Sequence, residues 1–317
     1  MRRYIPVLKL LPAVVLLVFS GCAAATTKVS YARPESSVIR AITPVRALRP
    51  RRSAAPPPTA QQNLTAAVAP LVAQDGGNVA VAVADLSTGA TAAYDGSTEF
   101  VTASIVKVDI LATLLYQLQQ TGQSIGVDDQ YQAQTMIENS DNDAASDLYA
   151  EVGGSQAIDG ANQAFGLTQT TVGTDGYWGL TTTTAADQIQ LLRTVFTSPS
   201  PLSAASQSYI QGLMSQVESD QQWGIPAAAD AGTPFMVKNG WLPNPTLWEI
   251  NSIGEVVHDG QTLLIAVLSA DNASEQAGIS LVETVATTAA GAVTSAQRPI
   301  APATLPGAGR RPAPDPN

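Results

Sequence analysis

Three short stretches of the 317-residue chain carry residue types that could do chemistry together. In Ser104-Ile105-Val106-Lys107 the serine and the lysine are i and i+3 at the head of a long apolar run, so on a helix they share a face. Serine is a poor nucleophile until a base takes its proton. A neighbouring lysine can be that base if burial or a second cation lowers its pKa. The first turn of a helix also presents free backbone N–H groups and a dipole that favours negative charge. Thr102 is the expected N-cap. The competing reading is a surface serine and a surface lysine on an amphipathic helix, since S-x-x-K alone is a common pattern. Ser140-Asp141-Asn142, in "IENSDNDAA", stands between two helix-like runs and reads either as a cap with a solvated turn or as one wall of a reaction centre. Lys238-Asn239-Gly240 lies in a β-type run.

The elements that would position these residues follow from periodicity. "QQNLTAAVAPLVAQDGG" has helical spacing, and two β-type runs flank Ser87-Thr88-Gly89, a hairpin signal. "TASIVKVDILATLLYQLQQTG" is a long apolar helix ending at Gly122, followed by helical segments at 131–152, 155–165, 184–197 and 203–217. "PFMVKNGWL", "LWEINSIGEVVHDG" and "QTLLIAVLSA" read as three antiparallel strands with Asp259-Gly260 as a turn, and "SEQAGISLVETVATTAAGAV" closes as a helix. The expected class is α+β: a five-stranded antiparallel sheet built from both ends of the domain, terminal helices beside it, and an all-helical subdomain inserted in the middle.

Composition narrows the function. Residues 61–296 hold only Lys107, Arg193 and Lys238 as cations, against two dozen Asp and Glu. Such a surface repels phosphates, so nucleic acid is not an expected partner. The lone cysteine, Cys22, lies outside this domain, so no disulfide and no cysteine nucleophile are available in it. The lone histidine, His258, rules out a His-based zinc site and makes a Ser-His-Asp triad depend on a residue at a strand turn; no metal and no cofactor are expected. Residues 1–22 read as an export signal: Arg2, Arg3 and Lys9, then an apolar run from Leu10 to Phe19, too short for a permanent span. Phe19-Ser20-Gly21-Cys22 resembles the lipobox of bacterial lipoproteins, which implies acylation of Cys22 and anchoring to the outer face of the cell membrane; without lipidation the protein would be secreted. Residues 23–60, rich in Pro and Arg, read as a disordered tether, and 297–317 as a disordered Pro-rich tail.

Taken together and in this order, S-x-x-K at a helix start, S-D-N between helices and K-x-G on a strand resemble the motif set of penicillin-binding proteins and class A β-lactamases. The resemblance spans nearly the whole domain: "TTTTAADQIQLLRTVF", "KNGW", "NSIG" and "LLIAVLS" are similar to the corresponding elements of class A enzymes. It implies the serine β-lactamase/transpeptidase fold and the following roles. Ser104 would be acylated and Lys107 would activate it. Ser140 would pass a proton to the leaving nitrogen. Asn142 would hold a substrate amide and orient Lys107. Lys238 would bind a substrate carboxylate and depress Lys107 by like charge, with Asn239 and Gly240 completing the substrate-binding strand. The backbone N–H groups of Ser104 and Trp241 would form the oxyanion hole. The implied partner is a β-lactam or a peptidoglycan-like peptide, and a monomer is expected.

The resemblance has gaps. Class A enzymes use an omega-loop glutamate to activate the deacylating water, yet no Glu occurs between Glu151 and Glu218. The loop is short, and its one carboxylate, Asp175, stands in an Asp-Gly turn. Asn239 replaces the usual Thr or Ser but can still donate a hydrogen bond. The fourth strand offers Trp248, Glu249 and Asn251 instead of an arginine. Trp178 and Trp248 read as core residues, and Trp241 as a border of the site. An acyl-enzyme that forms but turns over slowly is the expected behaviour. The alternatives are a peptidase or esterase acting on envelope substrates, or a non-catalytic binding lipoprotein.

Overall fold

The structure is a computed structural model that describes residues 57–75 and 78–296. The segments read as an export signal with Cys22 and as a tail, and nearly all of the expected tether, lie outside the described residues.

Helix α1 (Ala60–Asp75) leads into strands β1 (Asn78–Asp85) and β2 (Thr91–Tyr94). Their tight connection follows from Asp85, whose carboxylate accepts from the N–H groups of Ser87 and Thr88, and from Gly89 at φ +78°. The last three strands are β5 (Met236–Asn244), β6 (Leu247–His258) and β7 (Gln261–Asn272), and the chain closes in α8 (Glu275–Ser295). Together they form one antiparallel sheet in the order β2-β1-β7-β6-β5. Asp259 and Gly260 both take positive φ in the two-residue β6–β7 turn, the expected hairpin geometry. Asp230 accepts from both of their N–H groups.

The central strands are buried on both faces, so their sequences read as continuous apolar runs. Val79, Val81 and Val83 face a core with α1 and α8, together with Leu263, Ile265 and Val267. Ala80, Ala82 and Ala84 face the other core, where their small side chains let the inserted helices approach closely. α8 is long and apolar enough to cross a membrane, but its apolar residues are largely buried against the sheet, so it serves here as a core helix.

The inserted block contains α2 (Val106–Gln120), α3 (Val127–Glu138), α4 (Asn142–Glu151), α5 (Gly154–Phe165), α6 (Ala185–Phe196) and α7 (Ala204–Met214). The run at 131–152 is therefore two helices, broken at Ser140-Asp141. A second, two-stranded sheet pairs β3 (Glu99–Val101) with β4 (Thr182–Thr184), which periodicity does not reveal because each strand is only three residues long. It ties the segment ahead of Ser104 to the threonine-rich stretch ahead of α6. Thr184 caps α6, its Oγ1 accepting from the Asp187 N–H.

Candidate active site

Ser104 sits in a single 3-10 turn, Ala103–Ile105, that runs into α2. The turn is strained: Ala103 has φ +47°, a region that costs a non-glycine residue energy and persists only when neighbours hold it. Those neighbours are specific. The Thr102 N–H donates to the Thr181 carbonyl at 2.8 Å. The Asn251 side-chain amide, reaching across from β6, donates to the carbonyls of Val101 at 2.8 Å and Thr102 at 3.0 Å. Thr102 itself does not cap the helix; its hydroxyl is buried without a partner, because its backbone has already turned in the α-helical direction.

Gly240 on β5 explains how the strand comes so close. A Cβ there would lie 2.9 Å from the Ser104 nitrogen and 2.6 Å from the Thr102 carbonyl oxygen, so only glycine lets β5 run beside the Ser104 turn. β5 is the outer strand of the sheet, and the Asn239 carbonyl receives the Lys238 ammonium at 3.1 Å. Backbone direction repeats every two residues, so the Trp241 N–H projects to the same side as that carbonyl.

Lys107 is fully buried beneath Ser104. Its Nζ lies 3.0 Å from Ser104 Oγ, 3.1 Å from Ser140 Oγ, 2.6 Å from the Ser140 carbonyl oxygen and 2.8 Å from Asn142 Oδ1. Ser140 can offer both its carbonyl and its hydroxyl because it takes φ +58°. Asp141 is the N-cap of α4, its carboxylate accepting from the Ala144 N–H at 2.8 Å, and this presents Asn142 as the first residue of that helix. "SDN" is thus both a cap and a wall of the cluster. Lys238 Nζ lies 3.1 Å from Ser140 Oγ on its other side.

Burial lowers Lys107 to about 7, with the Asp141 carboxylate pulling the other way. Burial, rather than the like charge of Lys238, is the main cause. Lys238 is taken well below the ordinary lysine range by burial and then by the charge of Lys107.

The structure therefore brings Ser104, Lys107, Ser140, Asn142, Lys238, Gly240 and the Trp241 backbone together. Asn239 is different. Its side chain is buried away from this cluster, and its amide donates to the carbonyls of Gln221 at 2.7 Å and Trp223 at 3.0 Å. The expectation that it would donate to substrate is corrected: both amide hydrogens already hold the loop that leads to Gly224.

The loop ahead of β4 supplies no carboxylate to Lys107. Asp175 is exposed at a turn, φ +53°, accepting only from Thr174 Oγ1. What the loop delivers instead is Trp178, whose ring centroid lies 5.0 Å from Lys107 Nζ. Its indole N–H donates to Ser146 Oγ on α4 at 3.1 Å, which fixes the ring. Sequence reasoning favours a core role for Trp178; it is part of the core and also covers Lys107. A lone tryptophan carries no local signal for that second contact. Asn251 is likewise legible from sequence only as one of three residues, with Trp248 and Glu249, on a strand that offers no arginine. His258 takes no part: its Nδ1 is 2.6 Å from the Ala228 carbonyl, at the far end of the β6–β7 hairpin.

A buried lysine held against a half-exposed serine, on this sheet with this helical insertion, is the arrangement of the β-lactamase-like serine hydrolase fold. The chain belongs to the Beta-lactamase enzyme family, which matches residues 63–134 and 130–293. Among curated proteins it is similar to "Putative lipoprotein LppW" of Mycobacterium tuberculosis, with 27% identity over 268 residues, 76% of this chain and 82% of that protein. Among solved structures it resembles a class A β-lactamase from Bacteroides cellulosilyticus, with TM-score 0.66 and 16% identity over 75% of this chain and 99% of that one. It also resembles a point mutant of PBP-A, solved as an acyl-enzyme complex with penicillin G, with TM-score 0.64 and 19% identity over 76% of this chain and 100% of that one.

Proposed function

We propose that this protein is an exported serine hydrolase that β-lactams acylate at Ser104 and that releases the acyl group slowly. The observation that carries this reading is the Lys107 shell. A neutral amine has two N–H donors and one lone pair. The Ser140 carbonyl and Asn142 Oδ1 accept the two donors, which leaves the lone pair for the Ser104 hydroxyl at 3.0 Å. With Lys107 near 7, much of it is neutral at working pH and can take the Ser104 proton as Oγ attacks. Ser140 Oγ, between the two lysines, relays that proton to the leaving group. The N–H groups of Ser104 and Trp241 hold the developing oxyanion, a contribution of several kcal/mol in such sites, roughly 3–4 for one donor. Asn142 is exposed, and with its Oδ1 on Lys107 its amide nitrogen can hold a substrate carbonyl. Slow release follows from the same shell: Lys107 is enclosed by four oxygen contacts and an indole, and among the described residues no carboxylate contacts it to activate water.

The export part of the proposal rests on the basic and apolar residues 1–22 ending at Cys22, and on the lipoprotein name of the LppW relatives. It places the domain on the outer face of the membrane through lipidated Cys22. The lack of a water-activating carboxylate in the loop ahead of β4 also favours a penicillin-binding-protein-like peptidase or esterase over an efficient β-lactamase.

Intact-mass spectrometry with benzylpenicillin tests the reading. A persistent adduct that Ser104→Ala abolishes is the expected result. Rapid Ser104-dependent loss of the drug with no adduct would overturn slow release, and no reaction of any kind would overturn acylation.

A further inference from the structure

Asn251 on β6 is fully buried, and each hydrogen-bonding atom of its side chain is engaged. Its amide nitrogen donates to the carbonyls of Val101 at 2.8 Å and Thr102 at 3.0 Å, and its Oδ1 accepts from the Ser269 N–H at 3.2 Å. The register explains the reach. Asn251 pairs with Gly240, and directly opposite residues on antiparallel strands share a face. On that face a Cβ at Gly240 would meet the Thr102 carbonyl oxygen and the Ser104 nitrogen. The glycine thus leaves the space through which the Asn251 amide crosses to the turn. Ile253, two residues on, also faces the helical insertion, while Ile250 and Ser252 face the other way, toward α8 and the Ile225 N–H.

The two carbonyls belong to successive peptides ahead of Ala103. The first, between Val101 and Thr102, is held at both ends, because its N–H donates to the Thr181 carbonyl at 2.8 Å. The carbonyl of the second, between Thr102 and Ala103, has Asn251 as its firm partner, since the Ile105 N–H reaches it only at 3.4 Å. Rotating this second peptide changes the Thr102 ψ and the Ala103 φ together, so it is the motion by which Ala103 would leave its strained φ of +47°. The peptide that follows carries the Ser104 N–H, and Ser104 Oγ moves with it. Relaxation of Ala103 would therefore misdirect the nucleophile and the oxyanion donor at once.

We propose that Asn251 is a positioning residue for acyl transfer: it holds the Thr102–Ala103 peptide against relaxation and so keeps the Ser104 N–H and Oγ aimed at one carbonyl group. Asn251 itself touches no substrate, since it is fully buried under the turn it holds. This rests on the Ser104 reading above and adds to it a residue that acts from the sheet.

The test uses the full chain, with Ser104 adduct growth from benzylpenicillin followed by intact mass. Phenylboronic acid is the second probe: its boron bonds to Ser104 Oγ as the serine proton passes to Lys107, and the tetrahedral boronate puts a hydroxyl where the oxyanion would stand. Asn251→Ala is expected to slow acylation by about 10²-fold, the lower end for loss of an oxyanion donor, and to weaken phenylboronic acid binding by a similar factor. The pH midpoint should stay near 7, because the Lys107 shell is untouched. Adding Ala103→Gly should restore part of the rate, since glycine takes positive φ without strain and no longer needs the hold. If Asn251→Ala does not fold, Asn251→Asp decides. As the acid it donates to one carbonyl and as the carboxylate to neither, so its rate relative to the wild type should fall as pH rises. Wild-type acylation by folded Asn251→Ala, an unchanged boronic acid affinity or a pH-independent ratio for Asn251→Asp would overturn the inference and leave the Ser104 reading standing. No benzylpenicillin adduct on the wild type, with phenylboronic acid still weakened by Asn251→Ala, would support the positioning role while removing β-lactams from the proposed function. No Ser104-dependent binding of either probe would overturn both.

Discussion

Helix α2 carries two buried titratable groups two residues apart, on opposite sides of the helix, and both are moved to about 7. Lys107 comes down and Asp109 goes up, and in each case burial is the largest cause. Their surroundings differ. Lys107 lies among four oxygen contacts, one of them the hydroxyl of a half-exposed serine. Asp109 accepts from Asn162 at 3.1 Å through one oxygen, while its other oxygen, the Asn162 carbonyl and the Thr113 hydroxyl are buried without partners. A displaced pKa marks both groups, but only one opens toward a half-exposed serine hydroxyl. The perturbation reports burial; chemistry also needs a route to the surface and a partner that reacts.

The contrast predicts opposite responses. Lys107→Met removes the base while filling its volume with an apolar chain. Acylation by benzylpenicillin should fall by about 10³, within the range for loss of a general base. In the wild type the acylation rate should rise with pH and level off around a midpoint near 7, as Lys107 loses its proton. A flat profile from pH 5 to 9 would remove Lys107 from the base role.

Asp109→Asn should leave acylation unchanged and act on stability. The folded carboxyl titrates near 7, above an unfolded value of about 4. A raised pKa means that the stabilising protonated form is fully present below about pH 4, and its contribution is lost as pH rises through 7. The variant should therefore gain over the wild type, by roughly 2–4 kcal/mol between pH 4.5 and pH 8, since each tenfold change in a proton-binding constant is worth about 1.4 kcal/mol. Urea midpoints at the two pH values measure this, and an equal difference at both would show that Asp109 is not held neutral. In one protein, activity should climb through pH 7 while stability declines through it.

The smallest expected effect concerns the lid over Lys107. Trp178→Glu places a carboxylate where the indole now stands and should shorten the lifetime of the benzylpenicillin adduct by about tenfold, below the usual yield of a well-aligned general base because the geometry is not built for it. An unchanged lifetime would mean that something other than the missing carboxylate limits release.

Much of the scaffold is legible in the sequence because local rules write it. Alternating and continuous apolar runs mark the long strands β1, β5, β6 and β7, Asp-Gly at 259–260 marks the β6–β7 hairpin, and helical spacing marks α1, α2 and α8. The order of S-x-x-K, S-D-N and K-x-G marks the cluster, because each lies where a helix start, an inter-helix turn and a strand had to stand. The three-residue strands β3 and β4 escape, since two or three residues carry no period. Their pairing, together with Asn251 and Gly240, is what holds Ala103 in its strained conformation and aims Ser104.

The amino-acid sequence alone therefore specified the long strands and most helices, the set of motifs and the lack of an omega-loop glutamate, each legible from a short stretch of chain. Tertiary packing decided the rest. It turned Asn239 toward the Gln221 and Trp223 carbonyls, laid Trp178 over Lys107, left Thr102 without a capping role and made burial rather than Lys238 the cause of the lowered Lys107 pKa. Each of these depends on which distant groups meet in a site closed to water. There, unpaired polar groups are costly and dielectric screening is weak, so orientation and protonation follow from the assembled neighbours and not from the local chain.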